Sequence, residues 1–100
     1  MGRQAEHVYT DPASIRRLES MVSQLPANGH VVLGLKDGSS CDAVISTRPN
    51  VQVFRDRDGR EGINATVQLE RPEAPRWRRQ VWLDEIVRIE HLDSCMASEN

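Results

Sequence analysis

From His30 onward the chain alternates apolar and polar residues in short runs, each cut off by a turn signal. Period two is the signature of strands with one buried face, and the brevity of the runs forces a tight meander. Val31, Leu33 and Leu35 alternate with Val32, Gly34 and Lys36, and Asp37–Gly38 then supplies a tight turn. Cys41, Ala43 and Ile45 return as the second arm of that hairpin. Arg48–Pro49–Asn50 interrupts, and Val51, Val53 and Phe54 resume. The segment DRDGREG, Asp56 to Gly62, reads as a polar turn with a second Asp–Gly pair. Ile63, Ala65, Val67 and Leu69 form the next alternating run, and Arg71 to Arg76, with two prolines, forms a loop. Arg79, Val81 and Leu83 follow, and then Ile86, Val87 and Ile89.

One helix precedes the strands. Asp11 is placed to cap it and Pro12 stands where a missing N–H costs nothing. Ile15, Leu18, Met21, Val22 and Leu25 recur at helical spacing until Pro26 and Asn28–Gly29 stop them, so the helix is expected over 12–24. The order is therefore one helix and then five or six strands, with no βαβ alternation. The expected class is α+β, mainly β, with the strands curling into a small antiparallel barrel or sandwich. Residues 1–10 show no period and are expected to form a flexible arm, 11–92 the domain, and 93–100 a flexible tail.

The helix leading into VVLGLKDG, the longer run SSCDAVISTRPNVQVF and the closing VWLDEIVRIEHL together resemble the Sm and Sm-like group. The chain is also similar to a family of small bacterial proteins regarded as Sm-like variants. The resemblance covers about residues 11–92 and is carried best by Leu33, Leu35, Asp37 and Gly38. It implies a helix capping a strongly bent five- to six-stranded Sm-like (SH3-like) barrel, RNA as a partner, and a homo-oligomer built through strand edges. Several positions depart from the group's pattern. The glycine at its sharp bend is replaced by Ala43. Its nucleotide-contacting Asp and Asn map to TRPNVQ, with Arg48 near the first and Asn50 near the second. Its second motif, an Arg–Gly pair or Tyr–Lys–His, is absent near Trp82–Leu83–Asp84. The barrel carries over and the RNA pocket does not. Leu83, Ile86 and Ile89 keep a period of three, which a single 3₁₀ turn across Asp84–Glu85 explains; a short helix ending near His91 is the alternative.

The densest basic patch is Arg76–Trp77–Arg78–Arg79, with Arg71 upstream. Arginine forks grip phosphates and a tryptophan face stacks a base. The competing reading is a solvated strand face whose arginines pair with Glu70 and Glu73 while Trp77 or Trp82 turns inward. Candidate nucleic-acid-binding residues are thus Arg76, Trp77, Arg78, Arg79, Arg48 and Asn50. With 13 basic and 15 acidic residues the net charge is −2, so binding to RNA or single-stranded nucleic acid would be modest. Arg55, Arg57 and Arg60 alternate with Asp56, Asp58 and Glu61 and read as a self-neutralising loop.

Other chemistries find no support. His7, His30 and His91 are scattered, so no metal is expected. Cys41 reads as small core filler and Cys95 as a free thiol. No nucleophile–base pair or phosphate-cradling glycine loop is present, so neither enzymatic activity nor a cofactor is expected. No run is long enough to span a membrane and Met1–Thr10 lacks a secretory apolar stretch, so the expected location is the cytoplasm. A protein partner on the strand edges is the alternative to nucleic acid.

Overall fold

A computed structural model describes residues 3–92. The tail expected over 93–100, with Cys95, lies outside the described residues. In chain order the elements are β1 (Arg3–Gln4), α1 (Pro12–Ser23), β2 (His30–Leu35), β3 (Ser40–Thr47), β4 (Gln52–Arg55), β5 (Glu61–Asn64), β6 (Thr66–Glu70), β7 (Arg78–Trp82), a 3₁₀ turn (Leu83–Glu85) and β8 (Ile86–His91).

The helix begins where its capping chemistry dictates. Asp11 is extended, and its carboxylate accepts the Ser14 N–H at 2.9 Å. That bond from the Ser14 amide holds the Asp11 carboxyl below the usual carboxylate range. At the other end Asn28 takes a left-handed conformation, φ 69°, which turns the chain into β2. Leu18, Met21 and Leu25 are buried in one core with Val31, Leu33, Ile45, Val67, Leu69, Leu83 and Ile86. A twelve-residue helix is marginal alone, so this packing is what holds it.

Five strands form one antiparallel sheet in the order β7-β6-β3-β2-β8. The β2–β3 hairpin turns at Gly38, φ 90°, a conformation that strains any residue with a side chain. Asp37 steadies the turn by accepting from the Ser39 amide and hydroxyl. The Ser39 hydroxyl and amide, with a smaller contribution from Arg79, lower the Asp37 carboxyl pKa. At Ala43, where the resemblance implies a glycine bend, the strand stays in register opposite Val31. The irregularity falls instead between Ile45 and Thr47, against β6.

The sheet does not close, which corrects the expected barrel. β7 pairs with β6 and β8 with β2, but no ladder joins β7 to β8. The two edge strands are linked by the 3₁₀ turn, so the sheet must curl strongly although its ends stay unzipped. Helix α1 packs its apolar stripe into the same core and touches the 3₁₀ turn and β5. The opening is thus filled by side chains rather than by a strand pair.

The 3₁₀ turn settles the period of three at Leu83, Ile86 and Ile89 in favour of a turn over a short helix. Two further segments depart from the sequence reading. The run 63–69 is two strands broken at Ala65, and β4 and β5 form a separate hairpin around Asp56–Arg60. This hairpin is inserted between β3 and β6, neighbours in the main sheet. The arm expected to be flexible over 1–10 is tied down from Arg3 onward. β1 pairs in parallel with β4, the Ala5 amide donates to Arg55 O at 2.9 Å, and Tyr9 bridges Ile63 on β5. The segment crosses the hairpin as a strap, because the Arg55 carbonyl on one hairpin edge and the Ile63 amide and carbonyl on the other offer it backbone partners that no hydrophobic period announces.

Candidate nucleic-acid interface

The patch is built on β7 and the loop before it. β7 lies at the edge of the sheet and pairs on one side: Arg78 opposite Glu70, Arg79 opposite Leu69, Gln80 opposite Gln68, Val81 opposite Val67 and Trp82 opposite Thr66. Directly opposed residues share a face. Arg79 and Val81 therefore lie on the core side with buried Leu69 and Val67, whereas Arg78, Gln80 and Trp82 share the outer side. At the strand's start Arg78, Arg79 and Gln80 are all solvated, Arg78 and Gln80 on the outer face and Arg79 on the core side opposite Leu69.

Trp77 is half-buried and packs on the core cluster. The Arg71 guanidinium lies over its ring, 4.0 Å from the centroid, and donates through Nε to Asp42 O at 3.0 Å. Arg71 thus covers Trp77 as a cation on a π face. Arg78 Nη1 is 3.7 Å from Glu70 Oε1 in an exposed pair of little energetic weight. Arg76 and Arg79 are exposed and make no ion pair among the described residues. Residues 71–80 carry four arginines against one carboxylate, Glu73. Beside them opens a pocket of about 380 Å³ lined by His30, Asp42, Arg71 and Glu73, in which His30 Nε2 lies 2.6 Å from Asp42.

Arg48 and Asn50 are not part of this cluster. β3 leaves the sheet after Thr47, which faces Gln68, and both residues sit exposed on the loop toward β4. Pro49 between them is buried and anchors that loop. In the sheet they lie toward the Trp82 end, with β6 between them and β7.

Trp82 is half-buried, and Phe54 of the inserted hairpin meets its ring edge to face, 4.9 Å between centroids. The rest of Trp82 lines a pocket of about 280 Å³ with Gln4, Ala5, Glu6 and Arg57. Arg71 and Trp82 are the residues that sequence reasoning left out of the candidate set. Alternation along β7 was the signal for Trp82, because it puts that ring in line with Arg78 and Gln80.

The charged loop partly neutralises itself: Arg55 pairs with Glu61 at 2.8 Å, and the Asp56 carboxylate accepts the Asp58 and Arg60 amides. Arg57 instead reaches across to Glu6 of the strap at 3.3 Å. Cys41 is buried as a free thiol in the core. Among the described residues no group of three or more His, Cys, Asp or Glu is placed to hold a metal. No helix of the described residues is long and apolar enough to cross a membrane.

Residues 2–92 match a family described as a domain of unknown function, DUF3247. Among solved structures, XC5848 from Xanthomonas campestris is 34% identical with a TM-score of 0.83, over 90% of this chain and 97% of that one. Its crystal structure is described as adopting a novel variant of the Sm-like motif. No curated protein matches the chain.

Proposed function

Because the chain belongs to the DUF3247 family and has the Sm-like fold, we propose that it is a non-enzymatic, cytoplasmic protein that binds single-stranded RNA weakly along the Arg76–Arg79 edge. The observation that carries this reading is a run of solvated arginines beside an aromatic ring. Arg76 and Arg79 are solvated and without an ion-pair partner among the described residues, and they flank Trp77, whose ring already carries the Arg71 guanidinium. Phosphates would take the guanidinium forks, and a base would displace or extend the Arg71–Trp77 stack. The net charge of −2 keeps the affinity modest, since long-range attraction to RNA is absent. Replacing Arg76, Arg78 and Arg79 together by Glu is expected to weaken binding of labelled single-stranded RNA by at least about tenfold in fluorescence anisotropy, several phosphate contacts being lost at once. Unchanged affinity in a folded triple variant would remove the patch from the reading.

A second reading has its own observation. β7 and β8 are both open edges of an unclosed sheet, and Val87 on β8 is 58% exposed. Unpaired edges are templates for strand addition, so assembly into a homo-oligomer or with a protein partner is the alternative. A concentration-dependent mass in sedimentation equilibrium would favour it, and a monomer at all concentrations tested would count against it.

A further inference from the structure

The outer face of β7 is a row of Arg78, Gln80 and Trp82, flanked on β6 by Glu70, Gln68 and Thr66. Same-face neighbours on a strand are about 6.7 Å apart, so the row runs about 13 Å from Arg78 to Trp82. Gln68 and Gln80, both exposed and directly opposite one another, stand midway along it. At its far end the Trp82 pocket is walled by Gln4, Ala5 and Glu6 of the strap and by Arg57 of the inserted hairpin. Arg57 is held there by its pair with Glu6, with both side chains well exposed. A pair of this kind contributes between nothing and about 1 kcal/mol, so it can be exchanged for a ligand at little cost.

On the reading that this chain binds single-stranded RNA, we infer that the Trp82 pocket is a second base-stacking site, reached along the Arg78–Gln80 row from the arginine cluster. The site takes a flat nucleobase against the Trp82 ring. Arg57 supplies a planar cation able to stack on the base or to donate to its carbonyl oxygens, and Gln4 and Glu6 present an amide and a carboxylate to its edge. Gln68 and Gln80 lie along the outer face between Arg78 and Trp82 and can bond to sugar or base edges. The site is composite: Trp82 comes from the main sheet, Arg57 from the insertion and Gln4 and Glu6 from the strap. Phe54 packs against Trp82 in a T-shaped pair, 4.9 Å between centroids.

The chain's two tryptophans allow each aromatic site to be read separately. Protein labelled with fluorotryptophan gives two fluorine resonances, assigned with Trp77→Phe and Trp82→Phe, and is titrated with a single-stranded oligoadenylate while anisotropy is followed in parallel. The Trp82 resonance is expected to shift and to saturate with the dissociation constant found by anisotropy. Arg57→Ala, a change at an exposed side chain, is expected to weaken binding severalfold. Binding by anisotropy with a shifted Trp77 resonance, an unmoved Trp82 resonance and an unaffected Arg57→Ala variant would overturn the second site and leave the arginine edge in place. No anisotropy change at tens of micromolar would overturn both.

Discussion

Gly62 sits where the strap crosses the inserted hairpin, and a Cβ there would lie 2.9 Å from the Val8 side chain and 3.0 Å from the Tyr9 amide. The strap's backbone would have to move, so Gly62→Ala is expected to cost about 1–3 kcal/mol, read from the urea midpoint. Tyr9 anchors the far end of the same strap: its hydroxyl donates to Asp84 Oδ2 at 3.0 Å. Burial first, and then the hydrogen bond and charge of Asp84, push its pKa up to about 12. A folded pKa above the unfolded value near 10 means the contribution is complete below about pH 10 and is lost as pH rises through about 12. Tyr9→Phe is expected to cost about 1 kcal/mol at neutral pH and to flatten the fall in stability between about pH 10 and 12. As the chain's one tyrosine, Tyr9 also reports its own ionisation by absorbance, and a midpoint near 10 in the folded protein would refute the contact.

The elements differ in how legible they are, for physical reasons that particular residues make plain. Helix α1 is written locally, in the Asp11 cap, Pro12 and a stripe of period near 3.6, and it runs Pro12–Ser23 against an expected 12–24. The β2–β3 hairpin is equally local, because Asp37–Gly38 demands the turn. The turn of the inserted hairpin is legible as DRDGREG, but β4 pairs with β5 rather than with the main sheet, and alternation says which residues face inward without saying which strand is the neighbour. The break at Ala65 leaves the apolar alternation of Ile63, Ala65, Val67 and Leu69 intact in the sequence, although the buried positions shift from Gly62 and Asn64 in β5 to Val67 and Leu69 in β6. Docking of the strap rests on backbone groups and on Asn64, which is 1% exposed. Its Nδ2 donates to His7 O and its Oδ1 accepts the Ala65 amide, both at 2.8 Å. Asn64→Ala leaves both backbone groups without these partners and is expected to cost about 1–3 kcal/mol. Hydrogen exchange at the Ala5 and Tyr9 amides should quicken while β2–β3 amides keep their protection; equal protection throughout would detach Asn64 from the strap.

At the scale of the whole molecule, the fold and the proposed RNA-binding role rest on one circumstance: a five-stranded sheet curled by a three-residue turn and left open at its edges. The open edge carries the arginine cluster, with Arg78, Arg79 and Gln80 all solvated at the start of β7. Of the candidate residues, Arg76, Trp77, Arg78 and Arg79 are neighbours in the chain, but the strand turns Arg78 to the outer side and Arg79 to the core side, where Trp77 also packs. Arg48 and Asn50 reached the set through the resemblance, and the fold places them on the loop between β3 and β4, away from the cluster. Trp82 is legible in the sequence only as a ring that could turn inward or outward, because the hairpin and strap that wall its pocket lie far from it in sequence. The central claim is that this edge grips a phosphate backbone. The most direct measurement is the equilibrium binding constant for labelled single-stranded RNA across a series of salt concentrations. Three to four arginine–phosphate contacts predict a plot of log K against log salt with a slope of about −2 to −3. A slope near zero, or no binding at tens of micromolar by protein shown to be folded, would contradict the account.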